Sequence, residues 1–366
     1  MVLIKSISGV RGLINQEGIG LSTKEVEKCI KQFINFSFNQ FPNDAPFIIV
    51  GRDGRASGNS ILELVEKTCL DFNIGVLSLG LTTTPSIQMA VIIENANSVQ
   101  NCLGGVMVSA SHNPVEWNGI KLMNAQGEFL SNEESSEVFG IDSDLLEKKI
   151  LKLKLDLPKS KKRTFNFLEK HTSEIIKLKD VNVEKIKSKK FKIVVDGINS
   201  SGGVYVPYLL KKLGVQVICL NCEPNGVFAH NPEPVPVNLL QLCKQVVSHK
   251  ADLGIAIDPD VDRLVLIAED GSFFGEEYTI VSITRYILSK YPGSSVVSNL
   301  STTQAVKDVA NDFGALHFES KVGEANVVKL MKEKNAIIGG EGSGGVIFSP
   351  SHLGRDALVG IGLFLS

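Results

Sequence analysis

The chain repeats one pattern of hydrophobic and polar positions three times. Each copy opens with an apolar run, at 47–50, 191–195 or 295–298. A turn of small and polar residues follows, then an amphipathic helix, a glycine at or soon after the helix end, and a second apolar run. A strand, a helix and a second strand in this order form a β-α-β unit. Three such units predict three related α/β domains.

The same pattern places the elements that follow each opening strand. We expect helices over 59–70, up to residue 213 and over 304–313, and closing strands at 75–79, 215–218 and 315–318. The periods of the apolar positions set these bounds.

Between the first two copies, the basic stretch 148–163 interleaves Lys with Leu and Ile. Because it has no aromatic residues for base stacking, we interpret it as a connector between domains with a buried apolar edge. The expected domains are 1–155, 165–268 and 269–366.

Composition and charge exclude several classes of protein. Of 366 residues, 43% are hydrophobic and 21% are charged, which excludes a disordered, collagenous or coiled-coil chain. The 38 Lys and Arg residues nearly balance the 40 Asp and Glu residues, so the net charge of −2 gives no general attraction for nucleic acid or an anionic membrane. The apolar runs are far shorter than the ~20 residues that span a bilayer, and the sequence does not open with a signal peptide. We therefore expect a cytoplasmic protein with no nucleic-acid or membrane partner.

Six cysteines are too few for a disulfide framework in a chain of this length. Cys219 and Cys222 form a C-x-x-C pair at the end of a predicted strand, whereas redox pairs belong at the start of a helix. No second pair follows at the spacing of a zinc site. We predict ordinary strand-end thiols.

The segment 104–114 runs from an apolar strand into Ser-Ala-Ser-His-Asn-Pro. The Asn-Pro pair fixes a turn, which leaves the hydroxyl of Ser111 exposed at a strand end. A serine that carries a transferred group fits this position, and a purely structural turn is an equal alternative. The sequence lacks the G-x-S-x-G motif of a hydrolase elbow.

The segment 253–267 places Asp258, Asp260 and Asp262 at a spacing of two between apolar strands. Three carboxylates so close repel one another unless a hard cation joins them. An EF-hand loop opens with the same spacing, but Arg263 occupies the position where that loop needs glycine, and the flanking elements are strands. We predict a different cation loop, with Mg²⁺ as the ion.

The segment 337–347 surrounds Glu341 and Ser343 with glycines between apolar runs. Glycine permits close approach of the backbone to a ligand, and the two side chains offer an acceptor and a donor to sugar hydroxyls. A plain glycine-rich hairpin is the alternative. Arg11, between glycines near the start of the chain, is a candidate phosphate ligand. Lys121 and Lys321 are further candidates, and a surface lysine is the alternative for each.

These segments occur together in a fixed order. The motifs are Ser-Ala-Ser-His-Asn-Pro with Asn-Gly-Ile-Lys behind it, Asp-Pro-Asp-Val-Asp-Arg, and Gly-Glu-Gly-Ser-Gly-Gly. Supporting motifs lie at 51–58, 83–86 and 228–234. The ordered set closely resembles the α-D-phosphohexomutase family, which includes phosphoglucomutase, phosphomannomutase and phosphoglucosamine mutase. The resemblance covers essentially all 366 residues and is strongest to the phosphoglucosamine mutase and phosphomannomutase branch.

The resemblance implies three consecutive α/β domains with mixed sheets and an active site in the cleft between them. It implies a phosphoserine at Ser111 whose phosphoryl group passes to a hexose monophosphate, giving a hexose 1,6-bisphosphate that acts as intermediate and activator. Mg²⁺ would bridge the serine phosphate and the three aspartates. The resemblance also implies that Arg263 and Lys121 neutralise the charge of the moving phosphoryl group, and that Arg11 and Lys321 serve proton transfer at the sugar hydroxyl. Glu341, Gly342 and Ser343 would bind the sugar, and His112 would support Ser111.

The sequence does not name the sugar. Our first choice is glucosamine 6-phosphate, and mannose or glucose phosphates are alternatives. Two other classes compete: a phosphatase of the haloacid-dehalogenase type with Asp258 as nucleophile, and a catalytically incomplete fragment that binds phosphosugars. A monomer and a homodimer are equally compatible with the sequence.

The resembled family has a fourth, C-terminal domain with an Arg-x-Ser-Gly-Thr loop that grips the second phosphate, and this sequence lacks that loop. Its last residues, 354–366, read as an apolar helix without a polar turn or cap to end it. We therefore expect a truncated chain that retains Mg²⁺ binding and a phosphorylatable Ser111. Mutase turnover would be lost or very weak, with slow hydrolysis of the phosphoserine.

Overall fold

The computed structural model describes residues 3–7, 9–14, 20–96 and 101–366. The chain divides into two compact units, Met1–Phe167 and Leu168–Ser366. Within the described residues, no helix is both long and apolar enough to cross a membrane.

The first unit is built on one mixed sheet of seven strands, in the order β1-β2-β6-β5-β3-β4-β7. Strand β3 pairs parallel with β4 and β5, and β4 pairs parallel with β7. The remaining pairs, β1 with β2, β2 with β6 and β6 with β5, are antiparallel. The strands are β1 (Leu3–Ser6), β2 (Gly9–Leu13), β3 (Phe47–Arg52), β4 (Gly75–Leu81), β5 (Cys102–Val108), β6 (Trp117–Met123) and β7 (Lys162–Thr164).

Helices cover both faces of this sheet. Gly104 of β5 lies against Phe33 of the first helix and its neighbour Gly105 against Ile87 of the third, because successive residues of a strand point to opposite faces. Both contacts are so close that a side chain at either glycine would meet its neighbour. The helices are α1 (Thr23–Gln40), α2 (Gly58–Asp71), α3 (Thr84–Ala96), α4 (Asn132–Gly140) and α5 (Ser143–Asp156).

The stretch 148–163 is not a connector between domains. Its first part completes α5, which buries Leu146, Ile150 and Leu153 at helical spacing, and its last part enters β7, which pairs with β4 at the sheet edge. The apolar edge that the sequence indicated is therefore the buried face of a helix, and the lysines between these residues lie on its exposed face.

The second unit holds two four-stranded sheets, in the orders β11-β10-β8-β9 and β13-β12-β14-β15. The strands are β8 (Lys192–Asp196), β9 (Gln216–Leu220), β10 (Leu253–Ile257), β11 (Leu264–Ala268), β12 (Val296–Asn299), β13 (His317–Ser320), β14 (Ile338–Glu341) and β15 (Gly345–Phe348). The helices are α6 (Leu168–Lys177), α7 (Val183–Lys189), α8 (Gly202–Lys212), α9 (Leu240–His249), α10 (Glu276–Lys290), α11 (Ala305–Asp312), α12 (Glu324–Lys334) and α13 (Ala357–Leu365).

The three β-α-β units predicted from the sequence are all present. In each, the opening and closing strands are parallel neighbours: β3 with β4, β8 with β9, and β12 with β13. On its other side, each opening strand pairs parallel with a third strand, which is β5, β10 or β14. A fourth strand, β6, β11 or β15, pairs antiparallel with the third. The three sheets therefore share one core order, and the connection from the third to the fourth strand falls at the same place in each.

The last helix, α13, is covered on all sides. Its residues from Ala357 to Leu363 are buried, and the helix packs into the main core of the second unit. Ser366 closes it, because its hydroxyl donates to Gly362 O and accepts the N–H of Asn182. The apolar residues of this helix are therefore packed inside the second unit.

Candidate active site

The serine loop, residues 109–116, connects β5 to β6. Ser111 lies at its bend with a φ of 50°, a left-handed conformation uncommon for residues other than glycine. The residue is only 3% exposed, so the prediction of an exposed serine at this strand end is wrong. Its N–H donates to Ser109 Oγ at 2.8 Å, and its Oγ lies 3.4 Å from His112 Nδ1. Strained backbone that its surroundings hold in place is concentrated at functional sites.

The structure brings Arg11 beside this loop. Arg11 on β2 pairs with Gly119 of β6, and its Nη1 lies 3.5 Å from Asn113 Oδ1. This places a guanidinium beside the serine loop within the first unit. Ser8, three residues before Arg11, lies outside the described residues.

Lys121 is buried rather than exposed. It lies on β6, and its Nζ is 3.4 Å from Thr84 Oγ1 and 5.6 Å from the centre of the Phe129 ring. The surface-lysine alternative is therefore wrong for this residue, because a 2% exposed lysine in a strand is not a solvated side chain.

The metal loop, residues 258–263, connects β10 to β11. Asp258, Asp260 and Asp262 are fully buried, and one carboxylate oxygen of each lies within 4.8 Å of the others. Asp258 Oδ1 accepts the N–H groups of Asp262 and Arg263 at 3.0 and 3.2 Å, which folds the loop back on itself. Val261 at the bend has a φ of 66°, strained for a β-branched residue.

This donor set fits a hard divalent cation. Carboxylate oxygens are the ligands that Mg²⁺ and Ca²⁺ take, and three buried carboxylates at this range repel one another without a positive charge. Across the ranges that the structure describes, no other group of three or more His, Cys, Asp or Glu residues has metal-binding geometry.

Arg355 supplies part of that positive charge. Its Nη2 lies 2.8 Å from Asp262 Oδ2, its Nε 2.9 Å from Glu324 Oε2 and its Nη1 2.6 Å from Glu341 Oε2. Burial alone would lower the pKa of Arg355, but Asp262, Glu341 and Glu324 outweigh burial and hold that pKa well above its usual range. One guanidinium thus joins the metal loop to the glycine-rich loop.

The glycine-rich loop, residues 342–344, connects β14 to β15. Glu341 at its start is 5% exposed. Besides the Arg355 bond, its Oε1 accepts from Asn299 Nδ2 at 2.8 Å and from the N–H of Gly323 at 3.0 Å. Three bonds use three of the roughly four acceptor positions of a carboxylate. Gly342 N–H donates to Thr302 Oγ1 at 3.0 Å.

Ser343 at the centre of the loop is half-buried. Gly344 has a φ of 87°, and a Cβ there would lie 2.5 Å from Leu264 O. Its carbonyl accepts the N–H of Leu264 at 2.9 Å. The loop therefore packs directly on the start of β11, where the metal loop ends.

Two basic candidates lie near these loops in the second unit. Lys321 is exposed and lies two residues before Gly323, whose N–H contacts Glu341. Arg263 closes the metal loop through its backbone N–H. Burial raises the pKa of Glu276, and the charge of Arg263 opposes that rise.

Sequence reasoning missed two arginines that organise these loops. Arg55 was noted only as part of a supporting motif. Its guanidinium donates to three carbonyl groups of the serine loop and to that of Trp117, the first residue of β6. Arg355 lies in the stretch 354–366, which was interpreted only as an apolar helix. An arginine embedded among small and apolar residues was the available signal for both, because a buried guanidinium needs several acceptors.

The C-x-x-C pair is not a disulfide in this structure. Cys219 lies on β9 and Cys222 just after it, and both thiols are free. Burial, together with Cys219, raises the pKa of Cys222 to about 12. A thiol that is protonated at neutral pH is a poor nucleophile, which agrees with the prediction of ordinary strand-end thiols.

Comparison with known proteins identifies the class. Residues 4–143, 169–271 and 275–366 match the α/β/α domains I, II and III of the phosphoglucomutase/phosphomannomutase family. A phosphoglucomutase/phosphomannomutase of Thermococcus kodakarensis is 35% identical over 355 residues, which is 95% of this chain and 73% of that protein. A phosphoglucosamine/phosphogalactosamine mutase of Sulfurisphaera tokodaii is 28% identical, covering 98% of this chain and 75% of that protein.

A solved structure shares the fold. The phosphoglucomutase/phosphomannomutase family protein of Burkholderia thailandensis superposes with a TM-score of 0.83 at 23% identity, over 99% of this chain and 77% of that one. Together these findings show that the chain belongs to the α-D-phosphohexomutase family, as the ordered motifs indicated.

Proposed function

We propose that the chain interconverts hexose 6-phosphates and hexose 1-phosphates with Ser111 as the phosphoryl carrier. The observation that carries this proposal is the placement of the loops. The serine, the three aspartates and the Glu341 segment lie in the third-to-fourth-strand connections of three sheets with the same core order. Family membership supports the same reaction.

In this proposal, the P–O bond to the Ser111 oxygen breaks as a P–O bond forms to a free hydroxyl of a hexose monophosphate. The hydroxyl proton passes to a basic group, for which Arg11 and Lys321 are the candidates, and the Ser111 oxygen is left to receive the next phosphoryl group. The resulting bisphosphate reorients, and its other phosphoryl group returns to Ser111 while the proton returns to the sugar oxygen. Such transfers depend chiefly on positioning and charge neutralisation.

The three aspartates would hold Mg²⁺, which would supply the positive charge that a phosphoserine of about −1.5 to −2 needs beside carboxylates. Arg263 and Lys121 would add positive charge toward the phosphoryl group, and His112, 3.4 Å from the Ser111 hydroxyl, would support the serine. A dehalogenase-type role for Asp258 is not supported, because the family of this chain is a different one.

Glu341, Gly342 and Ser343 would hold the sugar. Because Glu341 already accepts three hydrogen bonds within the protein, it has room for about one sugar hydroxyl. Glucose, mannose and glucosamine can all present one. Our first choice is glucosamine 6-phosphate, since the stretches 6–12 and 340–348 most resemble the phosphoglucosamine mutase and phosphomannomutase branch.

The test begins with the protein phosphorylated by a hexose 1,6-bisphosphate in the presence of Mg²⁺. We expect the mass of one phosphoryl group to appear in the intact protein and to map to Ser111. Ser111→Ala should take up none and keep its thermal stability, and Ser136→Ala, an exposed serine on α4, should behave as the wild type. Uptake by Ser111→Ala would contradict the proposal.

A panel of hexose 6-phosphates assayed for 1-phosphate formation identifies the sugar. Fastest turnover of glucosamine 6-phosphate would support our first choice, and faster turnover of mannose 6-phosphate would overturn it. Phosphorylation of Ser111 without turnover of any sugar would instead favour the catalytically incomplete alternative.

A further inference from the structure

Arg55 lies buried beneath the serine loop with all of its donors engaged. The residue is 1% exposed. Its Nη2 donates to the carbonyls of Ser111 and Asn113, each at 2.6 Å. Its Nη1 donates to the carbonyls of Pro114 and Trp117, at 2.7 and 2.9 Å. The loop thus wraps its backbone around one guanidinium.

A second set of bonds ties this guanidinium to the N–H of the serine. Arg55 Nε donates to Asp53 Oδ2 at 3.2 Å, and the hydroxyl of Ser109 donates to the same oxygen at 2.7 Å. The Ser109 oxygen in turn accepts the N–H of Ser111 at 2.8 Å. Both Asp53 and Ser109 are fully buried. The N–H and the C=O of Ser111 are therefore both fixed by one connected network.

This network explains how Ser111 keeps its left-handed φ of 50°. Such a conformation persists only where the surroundings over-determine it. The five bonds of Arg55 match the five N–H groups of a guanidinium, and their planar, fixed directions define where the loop carbonyls lie. A lysine at this position would present only three donors on one atom.

We propose that Arg55 is the positioning residue of the phosphoryl-carrying serine, acting with Asp53 and Ser109 to hold the Ser111 oxygen in line for transfer. The inference rests on the proposed function of Ser111. Arg55 is not itself expected to touch the phosphoryl group, because its five donors are directed at the loop carbonyls and Asp53. Misplacement of a reacting group by about 1 Å through a distant change can slow a reaction about 10²-fold.

The experiment compares wild type, Arg55→Lys and Ser109→Ala by two measurements. The first is amide hydrogen exchange of residues 109–118 against the rest of the first unit. The second is the single-turnover rate of Ser111 phosphorylation by a hexose 1,6-bisphosphate, as a function of bisphosphate concentration. Arg163→Met is the matched control, because Arg163 is an exposed arginine of the first unit that lies on β7 with its guanidinium over the Phe47 ring.

We expect Arg55→Lys to speed exchange in the loop alone and to lower the maximal phosphorylation rate about 10²-fold, with the half-saturating concentration little changed. Addition of guanidinium at low concentration to Arg55→Ala should restore part of the rate, which a general loss of stability would not allow. Arg163→Met should match the wild type in both measurements.

Wild-type exchange or a wild-type rate in a folded Arg55→Lys protein would overturn the inference. If that variant does not fold, Ser109→Ala decides: unchanged loop exchange there would also overturn it, and faster exchange in the loop alone would support it. If the wild type takes up no phosphate at Ser111, the proposed function fails, while the exchange measurement still tests the role of Arg55.

Discussion

The serine loop and the metal loop occupy the same connection in their sheets, yet a different kind of bond holds each one. Arg55 donates to four backbone carbonyls and one carboxylate, so it fixes the path of the chain. Arg355 donates to three carboxylates, so it fixes side chains and offsets their charge. In the proposed function, the serine loop presents a single hydroxyl from a strained backbone. The other has to keep carboxylates close together in a buried place.

In both loops, a residue other than glycine takes the left-handed backbone conformation that glycine usually occupies. Ser111 and Val261 have φ values of 50° and 66°, whereas the glycine-rich loop places Gly344 at 87°. In the serine loop the strain is held by Arg55, and in the metal loop Val261 is buried in the core and its carbonyl accepts the N–H of Ala357. Hydrogen bonds to Arg55 therefore hold the first bend, whereas packing of Val261 contributes to the second.

The largest effect is expected at Arg355. Arg355→Met leaves three largely buried carboxylates without their shared cation, and breaking a buried pair in this way costs about 3–5 kcal/mol of unfolding free energy. Arg355→Lys keeps the charge with fewer bonds and should recover a substantial part of that loss. Urea unfolding of the three proteins measures both values.

The comparison with Arg55 sharpens this prediction. If charge is what matters at Arg355 and donor geometry is what matters at Arg55, lysine should rescue the first position and not the second. Equal damage from Met and Lys at Arg355 would show that its geometry, rather than its charge, holds the metal loop. A fully stable Arg355→Met protein would show that the three carboxylates do not need it.

A smaller effect is expected on cation binding at the metal loop. Asp260→Asn replaces one of three anionic oxygen ligands with a neutral one, so Mg²⁺ affinity should fall about 100-fold. Without Mg²⁺, the variant should be at least as stable as the wild type, because one repulsive charge is gone. Calorimetric titration measures the affinity, with Asp270→Asn, an exposed aspartate after β11, as the control. Unchanged Mg²⁺ affinity in Asp260→Asn would rule out the metal site.

The β-α-β units and the loops could be predicted because they depend on local signals. The predicted bounds of the opening and closing strands agree with the observed ones to within about two residues, which is a normal uncertainty for element ends. They were predicted from apolar runs of strand length, turns and helical periods. The closely spaced aspartates were also readable, because their repulsion is a property of the spacing itself. Their burial and the 4.8 Å limit on their separation required the structure.

What could not be predicted depends on contacts between residues far apart in the chain. Arg55 meets carbonyls that lie 56 to 62 residues later, and Arg355 meets Asp262 over 93 residues. No local pattern in the sequence indicates which residues these two arginines contact. The stretch 148–163 was misinterpreted for a related reason: the lysines dominate its composition, whereas the positions of three apolar residues decide that α5 packs on the core.

The smallest effect concerns Asp356, which follows Arg355 in the chain. Asp356 Oδ1 accepts the N–H groups of Leu358 and Val359 and so caps α13. Its Oδ2 accepts from the Nε2 atoms of His171 and His352, at 2.8 and 3.2 Å. Burial opposes ionisation of this carboxyl, but the two histidines outweigh burial and lower its pKa. The charged form of Asp356 therefore stabilises the folded protein.

Because the folded pKa of Asp356 lies below the unfolded value of about 3.9, its stabilisation is present above that pH and is lost as pH falls toward the folded pKa. Asp356→Asn keeps a capping side chain but removes the charge, so it should cost about 2 kcal/mol near neutral pH. Its difference from wild type should shrink as pH falls below about 4. Urea unfolding across this pH range checks the prediction against Asp312→Asn, whose exposed pair with Arg285 should give almost no difference at any pH. A constant difference between Asp356→Asn and wild type down to the acid limit would show that the cap, and not the charge between the two histidines, anchors the segment that carries Arg355.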